Sequence, residues 1–406
     1  MCPLPVVRYH VPDHTKEADP LSRTQPPPPP ASNETDRPVS ADTYSARRVL
    51  SFANVPALFG IAAILACTVV AFAYTGGFLS PHRLTQTRVV DQFERANGPH
   101  PGFRRNHSKG VCFTGSFESD GQGERLSKAL IFKPGTTPVF GRFALAGGQP
   151  FMMDGPTAVR SMAVNFTLSN GEIWRTGMNG IPVFTVHSLR DLYDQLGAAT
   201  PDPRTGKPDP ARMKAFFASH PDTARAMKII MAQPFSSGFA DTTYNSLDAF
   251  IFTSSQGQTT PVRWSMVPEE PFRPDKPTPA QLQDHNYLFD DLADRVHAAP
   301  VRWRLIATIG RPEDPTSDPT QAWPADREHV QLGVLTVNQL QDETQGPCRD
   351  VTFDPLILPA GIEGSDDPIL SARSAAYSPS FVRRSGEPAP SPAVRFSASG
   401  AEGAHQ

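Results

Sequence analysis

Charge is missing from one stretch of this chain and unbiased over the rest. No Lys, Arg, Asp or Glu occurs between Arg48 and Arg83, while the 406 residues together carry 38 basic and 41 acidic side chains, a net charge of −3. Such a balance leaves no electrostatic footprint for nucleic acid. Cysteine is scarce as well: four residues, none in C-x-x-C spacing, exclude a disulfide scaffold. No glycine-rich dinucleotide fingerprint is evident. Large apolar residues are few in the first 50 positions, where ten of the 44 prolines fall, including the run Pro26 to Pro30. That segment cannot bury enough surface to offset chain entropy, so residues 1–50 are expected to form a disordered tail. The Ser/Pro/Ala-rich residues 386–406 carry the same expectation.

The uncharged stretch is a candidate membrane span over residues 55–76. From Pro56 to Tyr74 it is apolar for about 20 residues, enough at 1.5 Å per residue to cross a hydrocarbon core of ~30 Å. Arg47 and Arg48 precede it, and the positive-inside rule assigns that side to the cytoplasm. The expected topology is a single-pass anchor in the inner membrane with the rest of the chain in the periplasm or its equivalent. A signal peptide ending near Ala71-Phe72-Ala73 and a buried core helix are the alternatives. A core helix would need a partner that the preceding 50 residues do not offer. Cys112 and Cys348 fall in the exported part, where either a bridge or two buried thiols is compatible with the chemistry.

Beyond the span, residues 111–117, 129–132, 139–145, 161–168 and 181–186 are short apolar or alternating runs punctuated by Gly, Pro and Ser-Asn-Gly signals. That is the pattern of an antiparallel meander, with Ser169-Asn170-Gly171 as its clearest hairpin turn. Helical spacing follows at 189–196 and 212–233, and strands return at 248–254, 262–267, 301–309 and 331–336. The fold class is α+β, centred on a closed antiparallel barrel that removes exposed edges.

The residues with the most chemistry stand near the C-terminus. Arg373 precedes Tyr377 by four, which places both on one face of a helix. A guanidinium so placed can stabilise a phenolate, a rare but attested axial ligand of haem iron. The spacing alone is unspecific. Its surroundings are not: Phe353-Asp354-Pro355, then Leu358-Pro359-Ala360-Gly361-Ile362-Glu363, then Asp367 to Tyr377. Far upstream lies Arg104-Arg105-Asn106-His107-Ser108-Lys109-Gly110, followed by Gly115-Ser116-Phe117-Glu118, Thr137 to Phe143, Val159 to Phe166 and Gly177 to Phe184.

In this order these motifs resemble the monofunctional haem catalases, and more closely their small relatives, the catalase-related peroxidases, from about Gln92 to Arg384. The resemblance implies an eight-stranded catalase barrel with surrounding helices over 85–385, and haem b as cofactor. It makes Tyr377 the iron ligand held as tyrosinate by Arg373, and His107 the base that moves the peroxide proton. Neutral imidazole suits that task. It places Arg104, Arg142 and Arg384 on the haem propionates, with Arg383 competing for the last position, and Phe184 as an aromatic wall. Asn179 or Met178 would stand beside His107, depending on where Gly180 is counted as an insertion; Asn179 is preferred because an amide can hydrogen-bond peroxide.

Two departures matter: Asn106 replaces a Val before the distal His, and Ala144 replaces a Ser that bonds it. Losing that hydroxyl frees the imidazole orientation, which favours peroxidase behaviour over strong catalase turnover. The implied activity is reduction of hydrogen peroxide or an organic peroxide by an organic electron donor, through a ferryl state, in a monomer or dimer. A dismutating catalase, and a haem carrier or hydroperoxide-rearranging protein on the same fold, remain as alternatives.

Overall fold

The computed structural model describes residues 55–76, 78–79 and 84–396. The proline-rich residues 1–50, with Arg47 and Arg48, and residues 397–406 lie outside them. Helix α1 (Val55–Thr75) runs for 21 residues without a charged or buried side chain. At 1.5 Å per residue it is about 32 Å long, enough for a bilayer core. A signal sequence has the same length and composition.

The strands that follow close on themselves. β1 (Gly110–Ser119), β2 (Gly135–Leu145), β3 (Arg160–Thr167) and β4 (Ile173–Asn179) form the expected meander. β4 passes to β5 (Tyr244–Asn245), β5 to β7 (Thr259–Pro268), β7 to β8 (Val301–Ile309), β8 to β9 (His329–Asp342), and β9 returns to β1. Those eight strands are a closed antiparallel barrel with helices around it. β6 (Phe250–Thr253) continues along β7 where β5 leaves off, and β10 (Ile362–Gly364) pairs with β6. One face of each strand fills the barrel with Phe113, Phe117, Phe143, Phe166, Trp174 and Trp264, all buried. Phe166 stacks on Trp174 at 4.7 Å between ring centroids, and Trp174 meets Trp264 edge-on at 5.2 Å. Such contacts between large rings favour one core arrangement.

Three helices cover part of the outer face: α2 (Gln86–Asn97), α3 (Leu189–Ala199) and α7 (Pro368–Ser385). Arg383 on α7 pairs with Asp91 at 2.5 Å and Glu94 at 3.3 Å on α2. α7 starts on a Pro at its first position, capped by Asp367, whose side chain accepts from the Ile369 N–H at 2.8 Å.

Several elements differ from the periodicity of the sequence. Leu130–Phe132 is a turn of 3₁₀ helix, not a strand. The apolar run 181–186 is irregular, and its Val183 is buried with Ala226 and Ile230 of α5 (Pro221–Met231), which explains its composition without a strand. The run 212–233 is two helices, α4 (Pro210–Ser219) and α5, because Pro221 cannot supply the N–H needed to continue the first. α6 (Tyr287–Ala298), absent from the sequence expectations, buries Tyr287, Leu288, Phe289, Leu292 and Val296. The C-terminal segment keeps its course to residue 396 instead of losing order at Gly386. Glu387 accepts from the Gly102 N–H at 2.6 Å and from Arg105 at 2.9 Å, and Val394 is fully buried in the core.

Cys112 on β1 and Cys348, beyond β9, are bridged, with Cα atoms 5.4 Å apart. Both are buried beside Phe353. The bridge holds down a loop whose Cys348, Arg349 and Val351 carbonyls all accept from Arg104. It closes 236 residues of sequence, for which chain entropy in the unfolded state gives about 5 kcal/mol. Cys112→Ser with Cys348→Ser should therefore lower the unfolding free energy extrapolated from urea titration by an amount of that order, and added reductant should leave the double variant unchanged.

Candidate active site

A cavity of about 410 Å³ lies between the outer face of β2–β4 and helices α2, α3 and α7, and both His107 and Tyr377 line it. α7 contributes Arg373, Ala376, Tyr377, Ser380, Phe381 and Arg384, the spacing of one helical stripe. Arg383, which points to α2 instead, is thereby excluded from the site. On the sheet, register decides what the cavity meets. Ala144 pairs with Ser161 and Ser161 with Asn179; Arg142 pairs with Ala163 and Ala163 with Gly177. The intervening row, Phe143, Met162 and Met178, is buried in the barrel core. Because neighbours on a strand face opposite ways, Asn179 shares the face of Ala144 and Ser161, while Met178 belongs to the core row. Ser161 donates to the Asn179 amide oxygen at 2.5 Å, which leaves the NH₂ of Asn179 for a ligand.

His107 sits on the turn before β1 with φ of +55°, a left-handed conformation that few non-glycine residues adopt. The turn is strapped from several sides. Asn106 accepts with one side-chain oxygen from the N–H groups of His107 and Gly147, both at 3.0 Å. That is what the asparagine before His107 does here, and no sequence spacing announced it. Lys109 is buried against Asp154 at 2.7 Å, and Arg142 Nη2 donates to the Ser108 carbonyl at 3.1 Å. Gly110 ends the turn without a side chain because a Cβ there would lie 2.6 Å from the Arg142 guanidinium.

The imidazole itself is unsupported. Its Nδ1 is buried with no hydrogen-bond partner among the described residues, as expected where Ala144 supplies no hydroxyl. Burial, with Arg142, Arg373 and Arg104 nearby, pushes its pKa down to about 3 from 6.5. The ring is therefore neutral through the ordinary pH range and able to accept a proton.

Four arginines line the cavity besides Arg373: Arg105, which is answered by Glu94 at 2.7 Å and by Glu387, and three more, Arg104, Arg142 and Arg384. Arg104 and Arg142 both donate to Glu343, their Nε atoms at 3.0 Å from Oε1, and Arg142 Nη2 lies 2.8 Å from Oε2. Burial works against ionisation of Glu343, yet Arg142 and Arg104 together hold its pKa below the usual carboxylate value. Arg384 donates to the Arg349 carbonyl, but its Nη2 is buried with no partner among the described residues. Burial, reinforced by Arg104, lowers its pKa to about 10. Three guanidiniums against one carboxylate leave two positive charges uncompensated, a good match to a cofactor with two carboxylates. Glu343 was not legible in the sequence, where it reads as one more acid after Asp342.

Arg373 donates to Asp248 and interacts with the Tyr377 side chain, and its guanidinium lies 5.6 Å from the centroid of Phe184. Phe184 thus packs beside Arg373 as well as lining the cavity. Burial lowers the pKa of Arg373, but Asp248 and then Tyr377 outweigh it and the net shift is upward. Asp248 sits in a break between β5 and β6, where Leu247 takes φ of +67° and lines the cavity. Arg160, by contrast, is structural, buried on the Pro156, Ala158 and Ser236 carbonyls and Asp275. His187 faces Asp191 at 3.4 Å and does not line the cavity.

Known proteins share this architecture. A family model described as Catalase matches residues 74–390. A catalase-related peroxidase of Synechococcus elongatus is 34% identical over 81% of this chain and 95% of its own length. One from Mycolicibacterium paratuberculosis is 31% identical over 75% and 96%. A catalase of Pseudomonas syringae pv. syringae is 25% identical, with 63% of its length covered. Among solved structures, a fungal catalase superimposes with a TM-score of 0.62 at 18% identity, over 73% of this chain and 62% of that one. The chain thus spans nearly the whole of the small relatives and under two-thirds of the large ones.

The position of His107 predicts a pH profile. Its folded pKa of about 3 lies below the 6.5 of an exposed histidine. The imidazole should stay unprotonated from about pH 8 to about pH 4, so the rate constant of any step in which it accepts a proton should be level over that range and fall only below it. Unfolded chains take up the proton first, so this residue withdraws stability as pH drops from 6.5 toward 3. His107→Asn, which tolerates the left-handed backbone, should fold as well as the parent, react with peroxide on the order of 10²-fold more slowly, and lose that contribution to acid sensitivity. Stopped-flow rates and urea midpoints across pH measure both.

Proposed function

The chain belongs to the catalase family and is an oxidoreductase acting on peroxide, and we propose that it works as a haem peroxidase drawing its electrons from an organic donor. The observation that carries this reading is the convergence of His107, Tyr377 and Arg373 on one largely apolar cavity. The residues present fit haem. An apolar slot is rimmed by cations with two charges to spare, and one guanidinium nitrogen of Arg384 and one imidazole nitrogen of His107 are buried with no hydrogen-bond partner among the described residues. Tyr377 would ligate the iron, Arg104, Arg142 and Arg384 would hold the propionates, and Phe184 would flank the ring. When bound, haem iron supplies the two-electron reduction of peroxide.

The chain's own residues supply the rest. His107, neutral and open to the cavity, takes the proton from the near oxygen of peroxide and returns it to the far one, so that water leaves. Asn179 offers its NH₂ to the same oxygen pair. Arg373 keeps positive charge beside Tyr377. Two electrons and two protons from the donor complete the reduction of peroxide to water. The unanchored Nδ1 of His107 favours this role over rapid dismutation, because a ring without a second hydrogen bond is poorly oriented for a fast second peroxide step. Oxygen evolution without added donor, at a rate rivalling donor oxidation, would overturn that preference.

α1 and the Cys112–Cys348 bridge support export: a single apolar helix followed by a domain that holds a disulfide. The proposed arrangement is an anchor over 55–76 and a haem domain over 85–385 on the periplasmic side.

Two outcomes are expected. Tyr377→Phe keeps the ring but removes the oxygen donor, so reconstituted protein should hold haem weakly or accept added imidazole in its place. Stoichiometric haem with an unaltered ferric spectrum would put the ligand elsewhere. In intact spheroplasts, protease added outside should reach the domain beyond residue 84, and protection until lysis would contradict export.

A further inference from the structure

The break between β5 and β6 sets two carboxyls against each other at the start of α7. Asp248 is fully buried, and its Oδ2 accepts from Arg373. Asp367 is 2% exposed, and its Oδ1 accepts from the Ile369 N–H at 2.8 Å to cap the helix. The remaining oxygens, Asp248 Oδ1 and Asp367 Oδ2, are both buried, and neither has a hydrogen-bond partner among the described residues. The two carboxyls nonetheless lie within hydrogen-bond reach of each other. Two ionised carboxylates cannot satisfy one another, since both only accept. A single proton placed between them satisfies both oxygens at once.

We infer that Asp248 and Asp367 share one proton, held on the Asp367 side, and that this singly charged pair keeps the positive charge of Arg373 available to Tyr377. Like charges this close do not both ionise in a buried site. The charged groups around the pair agree. Arg373 approaches from α7, and Arg263 from β7, itself also facing Asp314 and Asp318 and lying 4.7 Å from the Trp323 ring centroid. Burial raises both carboxyls: at Asp248 Arg373 opposes the rise and holds its Oδ2 as an acceptor, whereas at Asp367 burial and then the charge of Asp248 push it up to about 8. Arg373 accordingly faces one negative charge while the proton is present and two once it leaves. Asp248 and Asp367 are positioning residues, acting on Tyr377 through Arg373.

The shared proton does not depend on haem; only its effect on Tyr377 rests on the function proposed above. The experiment separates the two. The full-length, haem-loaded protein labelled with ¹³C-carboxyl aspartate should show an isotope-shifted protonated-carboxyl band in the infrared at neutral pH, lost as pH rises through about 8. Asp367→Asn keeps the cap, offers Asp248 an N–H in place of the proton, and should lack the band. In the parent, the Fe(III)/Fe(II) midpoint potential should fall over the same pH range, since added negative charge favours the ferric state; in Asp367→Asn that change should vanish. No such band in the parent, or an unchanged band in Asp367→Asn, overturns the shared proton. A potential equally pH-dependent in both proteins overturns the link to Tyr377. Failure of Tyr377 as ligand would show in Tyr377→Phe and leave the infrared result standing.

Discussion

Buried guanidinium groups set the terms on which the rest of this structure is built. An arginine cannot shed its proton at any ordinary pH, so each one brought inside must be met by acceptors already in place. Arg104 and Arg142 are met by Glu343 and by loop carbonyls, and Arg373 by Asp248. Each acceptor is supplied by a departure from regular structure. Glu343 follows the end of β9, the carbonyls belong to a loop fastened by the Cys112–Cys348 bridge, and Asp248 sits where β5 stops and β6 has not begun. Arg142 and Arg373 stand on regular elements and Arg104 on the segment before β1, and irregular segments answer all three.

The same accounting explains what is left over. Arg384 keeps one buried nitrogen without a hydrogen-bond partner among the described residues, and so does His107. In a protein interior such groups are costly, and they are tolerated where a ligand completes them. Here both border the same cavity, at the cation-rich rim and at the turn before β1. The pair of orphaned carboxyl oxygens behind Arg373 calls for a different resolution, a proton, because neither Asp248 nor Asp367 lines the cavity.

Much of this was legible in the sequence. The alternation of residues 139–145 and 161–168, the Ser169-Asn170-Gly171 turn, and the stripe from Arg373 to Arg384 carry periodicities that local physics enforces. The ordered motifs come together in the fold, since His107, Asn179 and Tyr377 all line one cavity, and the register of β2, β3 and β4 puts Asn179 on the face of Ala144 and Ser161. What could not be read depends on distance along the chain. Glu343 and Asp248 look like surface acids until the fold brings Arg104 and Arg373 to them, and the break at Leu247 has no glycine or proline to mark it. Ile181–Val186 misled because burial against α5 selects the same residues as a strand does. The attachment of residues 386–396, of which only Val394 is buried, depends on Arg105 and Gly102, almost 300 positions earlier.

Strands β2, β3 and β4 serve two environments with one backbone, and the two-residue repeat keeps their accounts apart. Phe143, Met162 and Met178 pack in the barrel core, the two methionines also bordering the cavity, while Ala144, Ser161, Ala163 and Asn179 answer to whatever occupies it. Selection can therefore act on neighbouring codons almost independently. A change in the second set reshapes what a ligand touches while the aromatic core keeps its packing, and a change in the first acts chiefly on stability. The small side chains of the second set leave room for such change, so a lineage carrying this sheet can vary its chemistry through Ala144 or Ser161 without first solving the folding problem again.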